Sequence, residues 1–297
     1  MSRLQDALAA GKFVVTGEIG PPKGIDTHEM AEELEHLRGK VIAVNVTDIQ
    51  SAVMRLGSLI VSEWLVRQGV EPVFQLTCRD RNRLALQTEL VSASWVGIEN
   101  VLCLTGDHQV LGDHKGTKGV FDLDAVSLIH TVTLLNSGKD LAGNALAGPT
   151  KLFPGAVVAP GLDPMEPQLL KMERKIAAGA KFFQTQALYD PRQLETFMRT
   201  AEQFKVPVLA GLVLLKNAGM AKFMNANVAG VFVPDHIVQE IADCPKKKLK
   251  AKSAEIGGRL AKEMKGMCQG IHLMPLGWTD IVPAVLAHAE ITDVGLS

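Results

Sequence analysis

Glu18, Asp107 and Gln186 are the side chains of this sequence best suited to chemistry on a polar ligand. Glu18 ends the run Val14-Val15-Thr16-Gly17-Glu18-Ile19 and stands alone among apolar neighbours. A carboxyl in such surroundings holds its proton more readily than one in water, which suits a general acid near neutral pH. The alternative role is a carboxylate paired across a cleft with a basic residue such as Arg79. Asp107 follows Gly106, a residue that lets backbone approach a ligand closely; its alternative role is a turn or helix cap. Gln186 offers an amide donor and acceptor to a flat heterocycle, or else a self-satisfied amide at the rim. His108, Asp113 and His114 raise the question of a metal. Two loop histidines with no further Cys or His beside them are a weak ligand set, so no metal is expected. The chain contains no GxSxG elbow, no Walker loop and no GxGxxG turn. It therefore offers nothing to support a serine hydrolase, a P-loop NTPase or a Rossmann dehydrogenase.

These residues need a scaffold, and the apolar pattern predicts one. Short apolar, β-rich runs occur at residues 13–19, 41–46, 72–76, 100–104, 155–159, 181–185, 206–213 and 270–274. Amphipathic stretches at 26–37, 56–68, 83–96, 123–134, 167–178 and 191–204 lie between them. Gly39, Gly69, Gly97 and Gly179 follow four of the helical stretches, where a left-handed C-cap favours glycine. Eight such units of roughly 37 residues each fit a single (β/α)8 barrel spanning residues 1–297, with extra helices before the last strand. A doubly wound sheet is the competing architecture. Its phosphate turn is replaced here by Gly20-Pro21-Pro22-Lys23-Gly24, whose prolines lack the N–H donors that such a turn needs. In a barrel, chemistry gathers at the carboxyl ends of the strands. Those ends read Thr16-Gly17-Glu18, Asn45-Val46-Thr47-Asp48, Gln75-Leu76-Thr77, Leu104-Thr105-Gly106-Asp107-His108, Gln184-Thr185-Gln186 and Gly270-Ile271-His272.

Composition narrows the function classes. The 297 residues carry 31 basic and 32 acidic groups, with a net charge of −1, so there is no basic footprint for nucleic acid. Hydrophobic residues make up 47% and charged residues 21%, which points to an ordered globular chain. Aromatics are only 5%, and a core of Val, Ile, Leu and Ala suits parallel strands covered by helices. Cys78, Cys103, Cys244 and Cys268 show no CxxC spacing and read as reduced thiols of a cytoplasmic protein. No apolar run is long enough for a membrane span, and the N-terminal segment lacks the apolar stretch of a signal peptide. Two segments break the alternation. One is the polar stretch 106–122. The other is 225–265, which includes the basic run Lys246-Lys247-Lys248-Leu249-Lys250-Ala251-Lys252. The run reads as a solvated helix start, or as a surface for an acidic partner.

The strand ends also carry a resemblance. The pieces are Thr16-Gly17-Glu18-Ile19-Gly20-Pro21-Pro22, Val44-Asn45-Val46-Thr47-Asp48, Gln75-Leu76-Thr77-Cys78-Arg79-Asp80-Arg81-Asn82, Cys103-Leu104-Thr105-Gly106-Asp107-His108, Phe182-Phe183-Gln184-Thr185-Gln186, and Gly270-Ile271-His272-Leu273-Met274-Pro275-Leu276-Gly277-Trp278. Together and in this order they resemble methylenetetrahydrofolate reductases, most closely the reductases of anaerobic, acetogen-type one-carbon pathways. The resemblance implies a flavin-binding (β/α)8 barrel that reduces the methylene bridge of 5,10-methylenetetrahydrofolate to a methyl group. It implies that Glu18 is the acid that helps open the five-membered ring, and that Asp107 steadies the cationic intermediate. It implies that Gln186, Gln184 and Asp48 contact the folate. Thr47, Gln75, Thr77, Thr105, Gly106 and His108 then contact the flavin, and Arg174 and Lys175 lie near its phosphate end.

The sequence departs from FAD-dependent relatives at Gln75, Thr105, Ala159, Asp163 and Lys171, where those relatives have His, Arg, Tyr, His and Asn. FAD and FMN therefore both stand as the cofactor. Ala218 replaces a folate-stacking Phe on which NADH also stacks in relatives. By resemblance, electrons arrive through an iron–sulfur partner subunit, and a homo-oligomer is compatible. Two readings from other classes share these features: a pterin-binding methyltransferase barrel without flavin, and a non-catalytic flavin or folate scaffold subunit.

Overall fold

A computed structural model describes residues 1–296 of the chain. Eight parallel strands close into a barrel in sequence order: β1 Val14–Ile19, β2 Ala43–Val46, β3 Pro72–Thr77, β4 Asn100–Leu104, β5 Phe153–Val158, β6 Phe182–Ala187, β7 Val208–Val213 and β8 Gly270–Met274. The barrel seals where β1 pairs with β8, in a register that sets Thr16 beside His272. The expected (β/α)8 architecture is therefore the observed one.

Helices α2 His28–Leu37, α3 Ser58–Arg67, α4 Arg83–Trp95, α5 Ala125–Asn136, α6 Glu166–Ala178 and α7 Pro191–Ala201 follow strands β1 to β6 and cover the barrel. Helices α8 Ala218–Asn227, α9 Asp235–Ala242 and α10 Leu249–Met264 fill the interval before β8, and α11 Val282–His288 ends the fold. The four capping glycines at 39, 69, 97 and 179 all take positive φ, between 70° and 121°. One core lies between strands and helices, built from side chains such as Leu34, Leu65, Leu90, Ile129 and Leu260.

A second core plugs the amino-terminal end of the barrel. The short helix α1, Arg3–Ala9, is capped by the Ser2 hydroxyl, which accepts from the Gln5 N–H. It buries Leu4, Ala7 and Leu8 against Val14, Ile42, Val73, Leu102 and Leu209. Phe153 and Phe182 stack in the same layer, with ring centroids 5.2 Å apart. Gly155 leaves room for that stack, because a Cβ there would sit 2.2 Å from the Phe182 ring. The plug leaves the carboxyl end of the barrel as the open mouth.

The basic run is a helix start. Lys246–Lys248 form a 3₁₀ turn that leads into α10. Within α10, Lys250 Nζ bonds Asp280 at 2.6 Å, and Lys252 Nζ bonds Glu255 at 2.7 Å. Among the described residues, no helix is long and apolar enough to cross a membrane.

Candidate active site

The carboxyl ends of the strands converge on a cavity of about 320 Å³. Glu18, Asp48, Gln75, Thr77, Thr105, Gly106, Asp107, Gln184 and Gln186 all line it. A larger outer chamber of about 710 Å³ adjoins it, between the β1–α2 loop and the turn after β8. Glu18 and Gln50 line both.

Glu18 is 7% exposed. Its company differs from the apolar surroundings expected from the sequence. Oε2 accepts from Gln75 Nε2 at 3.4 Å and lies 3.5 Å from His272 Nε2. The strand neighbours of Glu18 are apolar, but the barrel closes it against polar side chains from β3 and β8. Oε1 has no such partner. The pairing with Arg79 does not form; that guanidinium serves the loops instead, as described below.

His272 is buried, and its orientation follows from its other nitrogen. Thr16 Oγ1 lies 3.0 Å from Nδ1, and Asn45 Nδ2 lies 3.4 Å from it. An amide nitrogen only donates, so Nδ1 is the accepting atom and Nε2 carries the hydrogen toward Glu18. Gln184 Nε2 donates to Thr16 Oγ1 at 3.4 Å, which leaves the Thr16 hydroxyl hydrogen for His272. A polar chain thus runs from Gln184 through Thr16 and His272 to Glu18. Thr16 and His272 lie within β1 and β8, but nothing in the sequence tells that hydroxyl and ring meet.

Asp48, expected to contact the substrate, lines the cavity and spends its carboxylate on neighbouring donors. Oδ2 accepts from Thr77 N at 2.9 Å, Thr77 Oγ1 at 2.8 Å and Arg81 Nη1 at 2.8 Å. Oδ1 accepts from Ser58 Oγ and Arg81 Nη2, each at 3.1 Å. Its side chain is 0% exposed. Asp48 ties the ends of β2 and β3 together and fixes Thr77, whose hydroxyl oxygen can still accept a bond.

Arg79 is 1% exposed and works as a fork. Nε and Nη2 hold Asp80, at 2.9 Å and 2.7 Å. Nη1 donates to the Asp107 carbonyl at 3.3 Å, and Nη2 to the Ile49 carbonyl at 3.0 Å. The loops after β2 and β4 are held in one geometry this way. Gly106 adopts φ +93°, and a Cβ there would lie 3.0 Å from Arg79 Cβ and 3.1 Å from Thr77 Cβ. Only glycine suits both constraints, and Asp107 is thereby set at the rim with an exposed side chain.

Gln184 and Gln186 project from β6 on the same face. The β6–β7 pairing slips between Gln184 and Ala187, and the Thr185 hydroxyl accepts from Gly211 N at 2.8 Å in place of the missing ladder bond. This irregularity sets the angle at which Gln186 meets the cavity. Gln184 Oε1 is buried without a hydrogen-bond partner, as is Thr47 Oγ1. Thr105 Oγ1 accepts from Ala125 N at 3.2 Å and lines the cavity.

Several expected cofactor contacts lie away from the cavity. Thr47 is buried behind its wall. His108 uses Nδ1 to accept from Val110 N at 3.2 Å, as a turn cap. Arg174 is exposed on α6. Lys175 turns inward and donates to the Val157 carbonyl at 2.6 Å, and burial pushes its ammonium pKa down. Successive helix positions face about 100° apart, so the two cations point in different directions. Asp113 is engaged by Lys23 and by His114, so the 106–122 loop is tied across the mouth to the β1–α2 loop. Among the described residues, no group of three or more His, Cys, Asp or Glu side chains could hold a metal.

The cavity suits a flat heteroaromatic ring. Leu102, Leu104, Val157 and Met274 give it apolar surface, and Gln75, Thr77, Gln184 and Gln186 give it polar edges. The unpartnered Gln184 carbonyl is an acceptor that a ring N–H would satisfy.

Comparisons with known proteins bear on the family and the fold. The family model described as methylenetetrahydrofolate reductase matches residues 3–290. A curated relative, methylenetetrahydrofolate reductase 2 of Schizosaccharomyces pombe, is 24% identical over 177 residues, 56% of this chain. The matched region spans about a quarter (26%) of that relative's length. Among solved structures, an uncharacterized protein from Clostridium thermocellum that binds two copies of 5-methyl-5,6,7,8-tetrahydrofolic acid superposes with a TM-score of 0.63 at 16% identity. That match covers 97% of this chain and 99% of the other. A 2,3-dimethylmalate lyase superposes with a TM-score of 0.53 at 11% identity, over 98% of this chain and 86% of the other. At these identities the structural matches establish the barrel fold alone.

Proposed function

Because the chain belongs to the methylenetetrahydrofolate reductase family, we propose that it reduces 5,10-methylenetetrahydrofolate to 5-methyltetrahydrofolate at the barrel mouth, with a bound flavin, FAD or FMN. The observation that carries this reading is Glu18. Of the buried carboxyls lining the cavity, Asp48 is filled by its donors, whereas Glu18 keeps Oε1 free to bear a proton. The flavin supplies hydride to the methylene carbon when bound.

The residues of the chain do the rest. Gln75 Nε2 and His272 Nε2–H both face Glu18 Oε2 and leave Oε1 for the proton. From Oε1 the proton passes to the bridging nitrogen, and the five-membered ring opens to an electrophilic iminium. The rim carboxylate of Asp107 favours the cationic form of the substrate. The amides of Gln184 and Gln186 suit the donor and acceptor edge of a pterin. Thr77, Thr105, Gly106 and Gln75 would border the flavin ring. Thr47, His108, Arg174 and Lys175 stand outside the cavity lining, so their cofactor roles would act at most on the parts of the flavin beyond its ring.

Electrons are proposed to reach the flavin through an iron–sulfur partner protein, in line with Ala218 at the position where relatives stack NADH. Anaerobic assay of the chain alone tests this: brisk reduction of its flavin by NADH rules the partner route out. Glu18→Gln tests the chemistry. Folate turnover is expected to fall by about 10²–10⁴-fold, the usual worth of a general acid, with flavin retained. Unchanged turnover would overturn the acid role, and a purified chain without flavin would favour the methyltransferase reading.

A further inference from the structure

The outer chamber has no role in the chemistry above, and its construction is specific. It meets the reaction cavity only along Glu18 and Gln50. A substrate whose bridging nitrogen sits at Glu18 therefore lies in this passage, with part of the molecule on either side. Gln50 is presented at the passage by an unusual backbone. Ile49, Ser51 and Ala52 have φ of 46°, 55° and 58°, so three non-glycine residues are left-handed within four positions. Such conformations persist only where the surroundings enforce them, and they concentrate at functional sites. The enforcement is visible. The buried Arg79 fork donates to the Ile49 carbonyl at 3.0 Å, and Ala52 N donates to the same carbonyl at 3.0 Å.

The walls of the chamber are of two kinds. Pro21, Pro22, Met30 and Leu276 supply apolar surface. Arg55 supplies a cation without a carboxylate partner among the described residues: Nη1 donates to the Pro21 carbonyl at 3.2 Å, and Nε is buried with no acceptor among them. The other charged groups of the chamber are largely engaged. Lys23 holds Asp113, and Asp26 accepts from His28 N at 3.1 Å. Glu33 faces Lys216, and burial together with Glu29 pushes its carboxyl pKa up, toward the neutral form.

We propose that the outer chamber binds the aminobenzoyl-glutamate tail of the folate, with Gln50 gripping the ligand at the passage and Arg55 pairing with a glutamate carboxylate or the benzoyl carbonyl. The proposal rests on the folate reading of the cavity and adds the direction in which the substrate lies. Pro21 and Pro22 would pack on the benzoyl ring, which an arginine-only anion site would not need.

The test compares two ligands on the intact holoprotein: 5-methyltetrahydrofolate, and a 5-methyltetrahydropterin carrying a methyl group in place of the tail. Dissociation constants are measured calorimetrically, without oxygen, for wild type, Gln50→Ala and Arg55→Met. Wild type is expected to favour the full ligand at least tenfold. Each variant should lose most of that preference, with the larger loss falling on the full ligand. Gln50 is exposed, so Gln50→Ala keeps the test open should Arg55→Met fail to fold. Equal weakening of both ligands, or an undiminished preference, overturns the tail assignment and leaves the folate reading standing. Binding of neither ligand by wild type overturns the folate reading and the proposal with it.

Discussion

Asp48→Asn separates a structural carboxylate from a ligand-binding one. The carboxylate has no exposed surface and accepts from Thr77 N, Thr77 Oγ1, Ser58 Oγ and both Arg81 terminal nitrogens. An asparagine keeps one acceptor oxygen and puts an NH₂ in the other place. The cheaper orientation sets the NH₂ at Oδ1. There Ser58 can become the acceptor, because its single hydrogen can turn wholly to the Gln75 carbonyl, 3.0 Å away. Arg81 Nη2 then faces a donor, and the ion pair loses its negative member. Arg81 is 17% exposed, and its other acid, Glu89, is 3.8 Å away. A hydrogen bond to a charged group is worth about 1.5–3 kcal/mol, and an uncompensated, largely buried charge adds to the loss. The expected destabilisation is about 3 kcal/mol, or roughly 6 °C in melting temperature for a chain of this length. Thermal unfolding followed by circular dichroism measures it. Arg81→Met in the same chain should recover part of the loss, since the two residues act as one unit. A variant that melts with wild type yet no longer binds folate would refute the reasoning and return Asp48 to the substrate.

Other expectations follow from the same contacts. Gly106→Ala forces a side chain into φ +93° and against Arg79 and Thr77, so it should cost about 1–3 kcal/mol in chemical denaturation and lower flavin content. Arg79→Lys cannot reproduce the fork onto Asp80, Ile49 and Asp107, and should destabilise by about 2–4 kcal/mol, with a raised KM for folate. Side-chain and backbone hydrogen bonds from Arg83 hold the Asp122 carboxyl down at about 2, and these bonds tie the end of the 106–122 loop to α4. The pKa is depressed, so the stabilising effect is complete above the usual carboxylate range and is lost as pH falls through about 2. Carboxyl NMR titration should find that midpoint, and Arg83→Met should return it to about 3.9.

Much of the scaffold was legible because it rests on local rules. The apolar runs located all eight strands, and the glycines at 39, 69, 97 and 179 marked helix ends whose positive φ the structure bears out. The edges were less so. β5 begins at Phe153 where a start at 155 was expected, because Pro154 reads as a breaker. On this strand it is tolerated opposite Val101. β7 begins at Val208, after a proline that cannot donate to the ladder. Helix α1 was not anticipated. Its seven residues span about two turns, too short for the i, i+3, i+4 spacing of Leu4, Ala7 and Leu8 to mark a helix, and it is held by the layer it plugs.

At the site, residue types at strand ends identified Glu18, Asp107, Gln184 and Gln186 as cavity-lining groups. Partnership was not legible. That Asp48 is saturated by Arg81, that Arg79 reaches Ile49 and Asp107, and that His272 faces Glu18 are facts of three strands meeting across a closed barrel. No spacing along one strand encodes them. Arg174 and Lys175 are the reverse case, adjacent in sequence but separated by the turn of their helix.

The central claim is that this mouth delivers a proton and a hydride to methylenetetrahydrofolate. The most direct measurement reduces the flavin of the purified protein chemically, without oxygen, and then adds methylenetetrahydrofolate. The account predicts that the flavin spectrum returns to the oxidised form as one equivalent of 5-methyltetrahydrofolate appears. A reduced flavin left unchanged by the folate would contradict it.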